Sequence, residues 1–372
     1  MAALSPTVTL TPKTSPHICG VGDYTLNLAT HCQSHLGHPI DLIVETTCDP
    51  QAHPVTIHPL VADWSPDHLT SLFHRLQAAR VGTVILQYTC FSYSAQGYNP
   101  HLVPFWQRCR QHFQTLLVVH ETYNRLALRY PGTWALNPRQ KAVLRRLVQA
   151  SHQVFCGSEP YRHQLLRLGC PAHQLHALPI PTNIPPQPLS PPLKVALQQE
   201  LGLSPGLPTL ALFGCRESIY PTWLTRLDQH LRQRGRPIQW LLLGNAQKLT
   251  VPLTHTVARP GFLSAAALSH HLQLADILLM PHRDGISAKR TSLMAALEHG
   301  IPVVGTQGVL TDGFFHQLPS LFLAPDYGRF QGQLVATLDD LGQLGQALAT
   351  TRRYYDEHLS WPAVVKGLEP YL

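Results

Sequence analysis

The sequence predicts an α/β protein of two domains, and three observations carry that reading. Short β-branched or apolar runs alternate with amphipathic stretches, a single proline-dense segment interrupts the alternation, and the same alternation then restarts. The length of 372 residues exceeds what one hydrophobic core usually serves, so two cores of ordinary size are expected.

In the first half Ile40–Val44, Thr83–Gln87, Leu116–His120 and Val154–Cys156 read as strands, with helices at Tyr24–Leu36 and Arg139–Ser151. Between Pro179 and Pro192 the prolines Pro179, Pro181, Pro185, Pro186, Pro188, Pro191 and Pro192 withhold ladder donors and block helix continuation, which marks a linker. Beyond it the strands are Leu210–Phe213, Ile238–Leu243, Asp276–Met280, Pro302–Gly305 and Leu321–Leu323, and the helices Pro221–Gln233, Ala265–Leu274 and Lys289–Glu298. The division so read is 1–180, a linker over 181–193, a second domain over 194–345 and a tail over 346–372. Alternating strands and helices imply parallel sheets, whose ligands sit outside the carboxyl ends of the strands; two facing halves place a site in the cleft between them.

Hydrophobic residues make up 44% of the chain and charged residues 13%, which describes a globular protein. A net charge of +7 suits an anionic ligand, a nucleic acid or an acidic membrane surface. Nucleic acid is excluded as a partner, since Arg145-Arg146 and Arg352-Arg353 are isolated pairs without interleaved aromatics. The cysteines, at positions 19, 32, 48, 90, 109, 156, 170 and 215, form no CxxC pair and read as reduced thiols. No HExxH occurs among 23 histidines, and no metal site is expected. Met1–Leu10 lacks a basic start followed by an apolar stretch, and apolar runs such as Ile277–Met280 fall far short of the roughly 20 residues of a membrane span. A cytoplasmic protein, at most peripheral to the inner face of a membrane, is the expectation.

Particular residues carry the functional reading. Gly20 and Gly22 open the first helix, where backbone N–H groups can approach a phosphate or an acceptor with no Cβ in the way; a tight turn of purely structural purpose fits the same residues. The strand Leu116–Val119 ends in His120-Glu121, the position from which functional side chains emerge in such sheets. Gln87-Tyr88 ends the strand before it, with Tyr93 in an aromatic loop that packing alone explains. Ser158 reads as an N-cap. In the second half Lys289, Arg290, Thr291 and Ser292 stand at a helix start, where cations, hydroxyls and unsatisfied N–H groups can converge on a pyrophosphate.

These stretches resemble family-4 GT-B glycosyltransferases. Gly20–Ala29 is similar to that family's opening glycine loop and first helix, and Asp284–Val304 to its donor-binding helix and following strand, in a subgroup carrying a basic pair. The resemblance implies a GT-B fold of two Rossmann-like domains with parallel sheets facing a central cleft. It implies transfer of a sugar from a nucleotide-sugar donor to a glycan, lipid-linked or other hydroxyl acceptor, retention at the anomeric carbon, and no cofactor or metal. It assigns His120, beside the donor sugar and the acceptor, as the catalytic residue, Gly20, Gly22 and Asp23 to an acceptor or phosphate loop, and Arg216, Asp284, Ser287, Lys289, Arg290, Thr291 and Ser292 to the donor. The tail, with Trp361, is similar to the helix that returns to the first domain. Two departures stand out. The family's lysine after Arg216 is replaced by the stretch Ser218–Pro221, and its two glutamate positions hold Ser287 and Ala295, with Glu298 placed too late. Those departures favour the alternative of a non-catalytic nucleotide- or glycan-binding protein on the same fold.

Overall fold

The structure, a computed structural model, describes residues 4–50, 54–124, 132–214 and 219–372. It divides into two compact units, Met1–Pro179 with Trp361–Leu372, and Ile180–Ser360.

The first unit contains β1 (Thr7–Leu10), α1 (Gly20–Leu36), β2 (Ile40–Glu45), β3 (Ile57–Val61), α2 (Pro66–Ala78), β4 (Thr83–Tyr88), α3 (Leu102–His112), β5 (Gln114–Val119), α4 (Gly132–Gln149), β6 (Gln153–Cys156), α5 (Glu159–Arg167) and β7 (Leu175–Ala177). The second contains α6 (Pro191–Glu200), β8 (Thr209–Phe213), α7 (Pro221–Gln233), β9 (Gln239–Leu243), β10 (Thr256–Ala258), α8 (Ala265–Leu272), β11 (Ile277–Met280), α9 (Thr291–Glu298), β12 (Val303–Thr306), β13 (Leu321–Ala324), α10 (Tyr327–Asp339) and α11 (Gly345–His358). The last helix, α12 (Trp361–Leu368), belongs to the first unit.

Each unit is built on one parallel sheet, ordered β3-β2-β1-β4-β5-β6-β7 in the first and β10-β9-β8-β11-β12-β13 in the second. Strands covered on both faces are apolar nearly throughout, as in Thr209–Phe213 and Gln239–Leu243, and that is why runs without alternation fold as strands here. In each sheet the order reverses once, between β1 and β4 and between β8 and β11, the kind of switch point outside whose carboxyl strand ends ligands bind in open parallel sheets.

The expected strands and helices are present, and β1, β3, β7 and β10 join them. β1 escaped notice because Thr7 and Thr9 look like surface residues; both are buried, Thr7 Oγ1 against His38 Nε2 at 2.9 Å and Thr9 against Gln87. The start of α9 is corrected from Lys289 to Thr291, since Arg290 keeps an extended backbone (φ −88°, ψ 107°) as N-cap.

The proline-rich segment is packed rather than free: Thr182 and Ile184 are buried, and Gln187 N–H donates to Ser269 Oγ at 2.8 Å. Its last prolines already belong to α6, which Ser190 caps through Leu193 N–H. The tail differs from a single crossing segment. α11 packs on α9 within the second unit, and only from Trp361 onward does the chain pack on α1. Trp361 lies flat on His31 (5.0 Å between centroids, 7°) and beside Tyr24, and Val364, Val365 and Leu368 are buried below it. Among the described residues no helix is long and apolar enough to cross a membrane.

Candidate functional site

In the second unit the polar groups gather where the strand order reverses. Gly214 follows β8 at φ +111°, and a Cβ there would lie 3.3 Å from Ser292 Oγ, so this backbone passes directly over the first turn of α9. Arg216, assigned to the donor from the sequence, lies outside the described residues.

The approach to α9 is a tight turn. Arg290 N–H donates to Ser287 O at 3.0 Å and Lys289 N–H to Ser287 Oγ at 3.4 Å, and the buried Asp312 takes Ala288 N–H at 2.7 Å. Ser287 is therefore buried, its hydroxyl shaping the turn. Lys289 and Arg290 are half-buried, Asp284 and Thr291 exposed, Ser292 buried. No side chain at the N-cap takes the first N–H groups of α9, which leaves a helix start suited to an anion. The structure thus brings Asp284, Ser287, Lys289, Arg290, Thr291 and Ser292 to one edge together with Gly214. Cations, N–H groups and hydroxyls so arranged can neutralise a diphosphate and stabilise its charge as it leaves.

Glu298 stands at the other end of α9, about 12 Å along an eight-residue helix. It accepts from Tyr355 OH at 3.3 Å, and its backbone carbonyl takes Arg352. Burial pushes its carboxyl up, with Arg352 and the Tyr355 hydrogen bond pulling the other way. It is a structural residue of the α9–α11 packing.

In the first unit the carboxyl ends of β1, β4 and β5 present His120. Its backbone N–H donates to Tyr88 O at 2.9 Å, its Nε2 bonds Gln87 Oε1 at 2.8 Å, and Gln87 Nε2 donates to Thr9 Oγ1 at 3.2 Å. The Tyr24 ring meets the imidazole edge-on, 4.8 Å between centroids at 75°. The hydroxyls of Tyr24 and Tyr88 are buried without a hydrogen-bond partner among the described residues, and burial pushes both phenols up. Tyr93 is structural, donating to Leu10 O and Gln87 O.

The glycine loop resolves into different roles. A Cβ at Gly22 would sit 2.1 Å from Lys13 O, so glycine is required for α1 to pack against the segment after β1, whereas Gly20 meets nothing within 4 Å. Cys19 is the N-cap, its Sγ accepting from Gly22 N–H, and Asp23 is an exposed first-turn acid. The sequence missed Gln87 and Thr9 as site residues; a polar residue closing an apolar strand was the available signal for Gln87.

Residues 18–184 match the model of Glycosyltransferase Family 4. Among curated proteins none matches the chain. Solved structures similar in fold include sucrose-phosphate synthase from Thermosynechococcus elongatus, 15% identical, with 98% of each chain covered and a TM-score of 0.68. A glycosyltransferase from Rickettsia africae is 12% identical over 98% of this chain and 97% of that one, with a TM-score of 0.68. Anabaena HepE in complex with UDP is 10% identical over 98% of each chain, at 0.67. With two parallel-sheet α/β units and solved structures of the same architecture matched end to end, the chain has the GT-B fold, and its residues 18–184 match the model of Glycosyltransferase Family 4.

Proposed function

We propose that this protein is a glycosyltransferase, moving a sugar from a nucleoside-diphosphate donor onto a hydroxyl of a glycan or lipid-linked acceptor, with retention at the anomeric carbon. The carrying observation is the approach of Gly214 to Ser292 at the reversal of the second sheet, with Lys289 and Arg290 leading into α9. Support also comes from relatives in fold: Anabaena HepE has been solved with UDP and with UDP-glucose, and the spinosyn rhamnosyltransferase SpnG with thymidine diphosphate.

In this reading Lys289, Arg290, Arg216 and the N–H groups of Thr291 and Ser292 hold the diphosphate, so no divalent metal is needed. Asp284 reaches toward donor hydroxyls, and Ser287 holds the turn. The bond between C1 of the sugar and the diphosphate oxygen breaks, the acceptor oxygen bonds to C1, and its proton passes to the departing phosphate. The roles proposed for the first unit are catalysis for His120 and acceptor or phosphate contact for Gly20, Gly22 and Asp23. Positioning and fixed charge supply the rate enhancement. A lipid-linked acceptor would bring the basic chain to an acidic bilayer surface.

The test is calorimetry and thermal shift with UDP, thymidine diphosphate and UDP-glucose on the wild type and on Lys289→Ala/Arg290→Ala. Binding that the double variant loses by tenfold or more is the expected result; no binding at millimolar nucleotide would overturn it. Ser287 and Ala295 at the glutamate positions favour a second reading, binding without turnover, and donor bound but never transferred or hydrolysed with any hydroxyl acceptor would establish it.

A further inference from the structure

Gln87 occupies an unusual place for a glutamine. It lies in β4, the central strand of the seven-stranded parallel sheet, and is fully buried. Burying an amide among apolar strands is costly unless both ends are satisfied. Both are: Nε2 donates to Thr9 Oγ1 in β1 on one side, and Oε1 meets His120 Nε2 beyond β5 on the other. In the register Thr9 of β1 is opposite Ile85 and Gln87 of β4 is opposite Val118, so Thr9, Gln87 and His120 step diagonally across three strands toward the carboxyl edge.

We propose that Gln87 is a positioning residue that fixes the tautomer of His120. The inference rests on the reading that His120 stands at the transfer site. Because Thr9 engages the amide nitrogen, the carbonyl oxygen is what faces the imidazole, and a carbonyl oxygen only accepts. His120 must then carry its proton on Nε2 and its lone pair on Nδ1. Any group meeting Nδ1 of the neutral ring has to donate, which suits a sugar hydroxyl and excludes an unprotonated phosphate oxygen. The Tyr24 ring, edge-on at 4.8 Å, and the backbone bond to Tyr88 O hold the ring in that orientation.

The experiment is 15N-edited NMR on the full chain with ring-labelled histidine, the His120 signals identified by their loss in His120→Ala. The wild type should show His120 in the Nε2-protonated form, and Thr9→Val, which frees the amide to turn over, should bring up the Nδ1-protonated form. Gln87→Glu places a carboxylate against Nε2 and should raise the titration midpoint of His120 by about one unit or more. A wild-type ring protonated on Nδ1, or a Thr9→Val spectrum indistinguishable from wild type, would overturn the proposal; should Gln87→Glu not fold, the near-isosteric Thr9→Val decides it. Turnover of UDP-glucose separates this from the site reading. Unimpaired turnover in His120→Ala removes His120 from the transfer site while the tautomer result stands; lost turnover with an unchanged tautomer in Thr9→Val removes only the role of Gln87.

Discussion

Gly285 and Gly308 touch backbone to backbone beside the turn that leads into α9. A Cβ at Gly285 would come within 2.4 Å of Gly308 N, and a Cβ at Gly308 within 2.5 Å of Asp284 O. The loops after β11 and β12 can therefore lie against each other only where neither carries a side chain, and Leu310 N–H donates to Asp284 O at 2.9 Å across the same contact. Gly308→Ala forces backbone apart and should cost about 1–3 kcal/mol in denaturant unfolding. Because the turn over Ser287–Arg290 follows directly, nucleotide affinity should fall in the same variant.

Gly20 and Gly22 should separate cleanly. Gly22→Ala meets Lys13 O and is expected to destabilise by about 1–3 kcal/mol. Gly20→Ala adds a methyl into open space in the first turn of α1 and should be neutral, or stabilising by up to about 1 kcal/mol. Thermal unfolding of the two variants measures both, and a nucleotide or acceptor affinity lost only in Gly20→Ala would place a ligand on that turn.

Asp228, buried in α7, accepts from Trp240 Nε1 at 2.8 Å, from Thr254 N–H and Oγ1 at 2.6 Å each, and from His255 Nδ1 at 2.7 Å. Burial alone would push its carboxyl up, but the hydrogen bonds from Thr254, Trp240 and His255 outweigh it and hold the group below the usual carboxylate value. The unfolded chain then binds the proton first, so this stabilisation is complete above about pH 4 and is lost as pH falls below it. Asp228→Asn should lose about 1.5–3 kcal/mol at neutral pH and show a flatter acid limb in urea unfolding.

His31, His152, His176 and His299 are all held below the ordinary imidazole value, mainly by burial, with His35, Arg110 and Arg352 adding repulsion at His31, His152 and His299 respectively. For such groups the unfolded chain takes up protons that the folded chain refuses. Stability is therefore full above about pH 6.5 and declines on acidification below it. The midpoint of thermal unfolding should drop between pH 7.5 and 5.5. Because His31 lies under Trp361, part of the drop should vanish in His31→Phe, and Trp361→Ala alone should cost about 3 kcal/mol.

Glu298→Gln tests the assignment of that residue to packing. The amide can still accept from Tyr355 OH while removing a carboxylate that burial disfavours, so stability at neutral pH should stay level or rise. Nucleotide affinity by calorimetry should be unchanged; a tenfold loss would return Glu298 to the donor site.

Particular elements show why some of this was readable in advance. β9 and β11 announced themselves as unbroken apolar runs bounded by Gly244 and Pro281, and α7 began at Pro221 and ended at Gln233 as its pattern implied. Signals of this kind are local, resting on periodicity, propensity and chain breakers. The helix start at Thr291 lay two residues from expectation because Arg290 is extended by the Ser287–Arg290 turn, which depends on Asp312 holding Ala288 from a distant loop. Glu298 was separated from the donor positions by counting residues along one helix, a distance the sequence does contain.

By itself the sequence determined the two α/β halves, the proline-rich passage between them and the basic helix start after Asp284, since each depends on neighbours a few positions apart. Only the tertiary structure decided that Thr9, Gln87 and His120 form one buried diagonal, that Gly22 serves Lys13 O, and that the tail splits between α11 and α12. The physical reason is strand order: a parallel sheet pairs β1 with β4 and β4 with β5, and this sets side by side residues that are 78 and 33 positions apart in the chain.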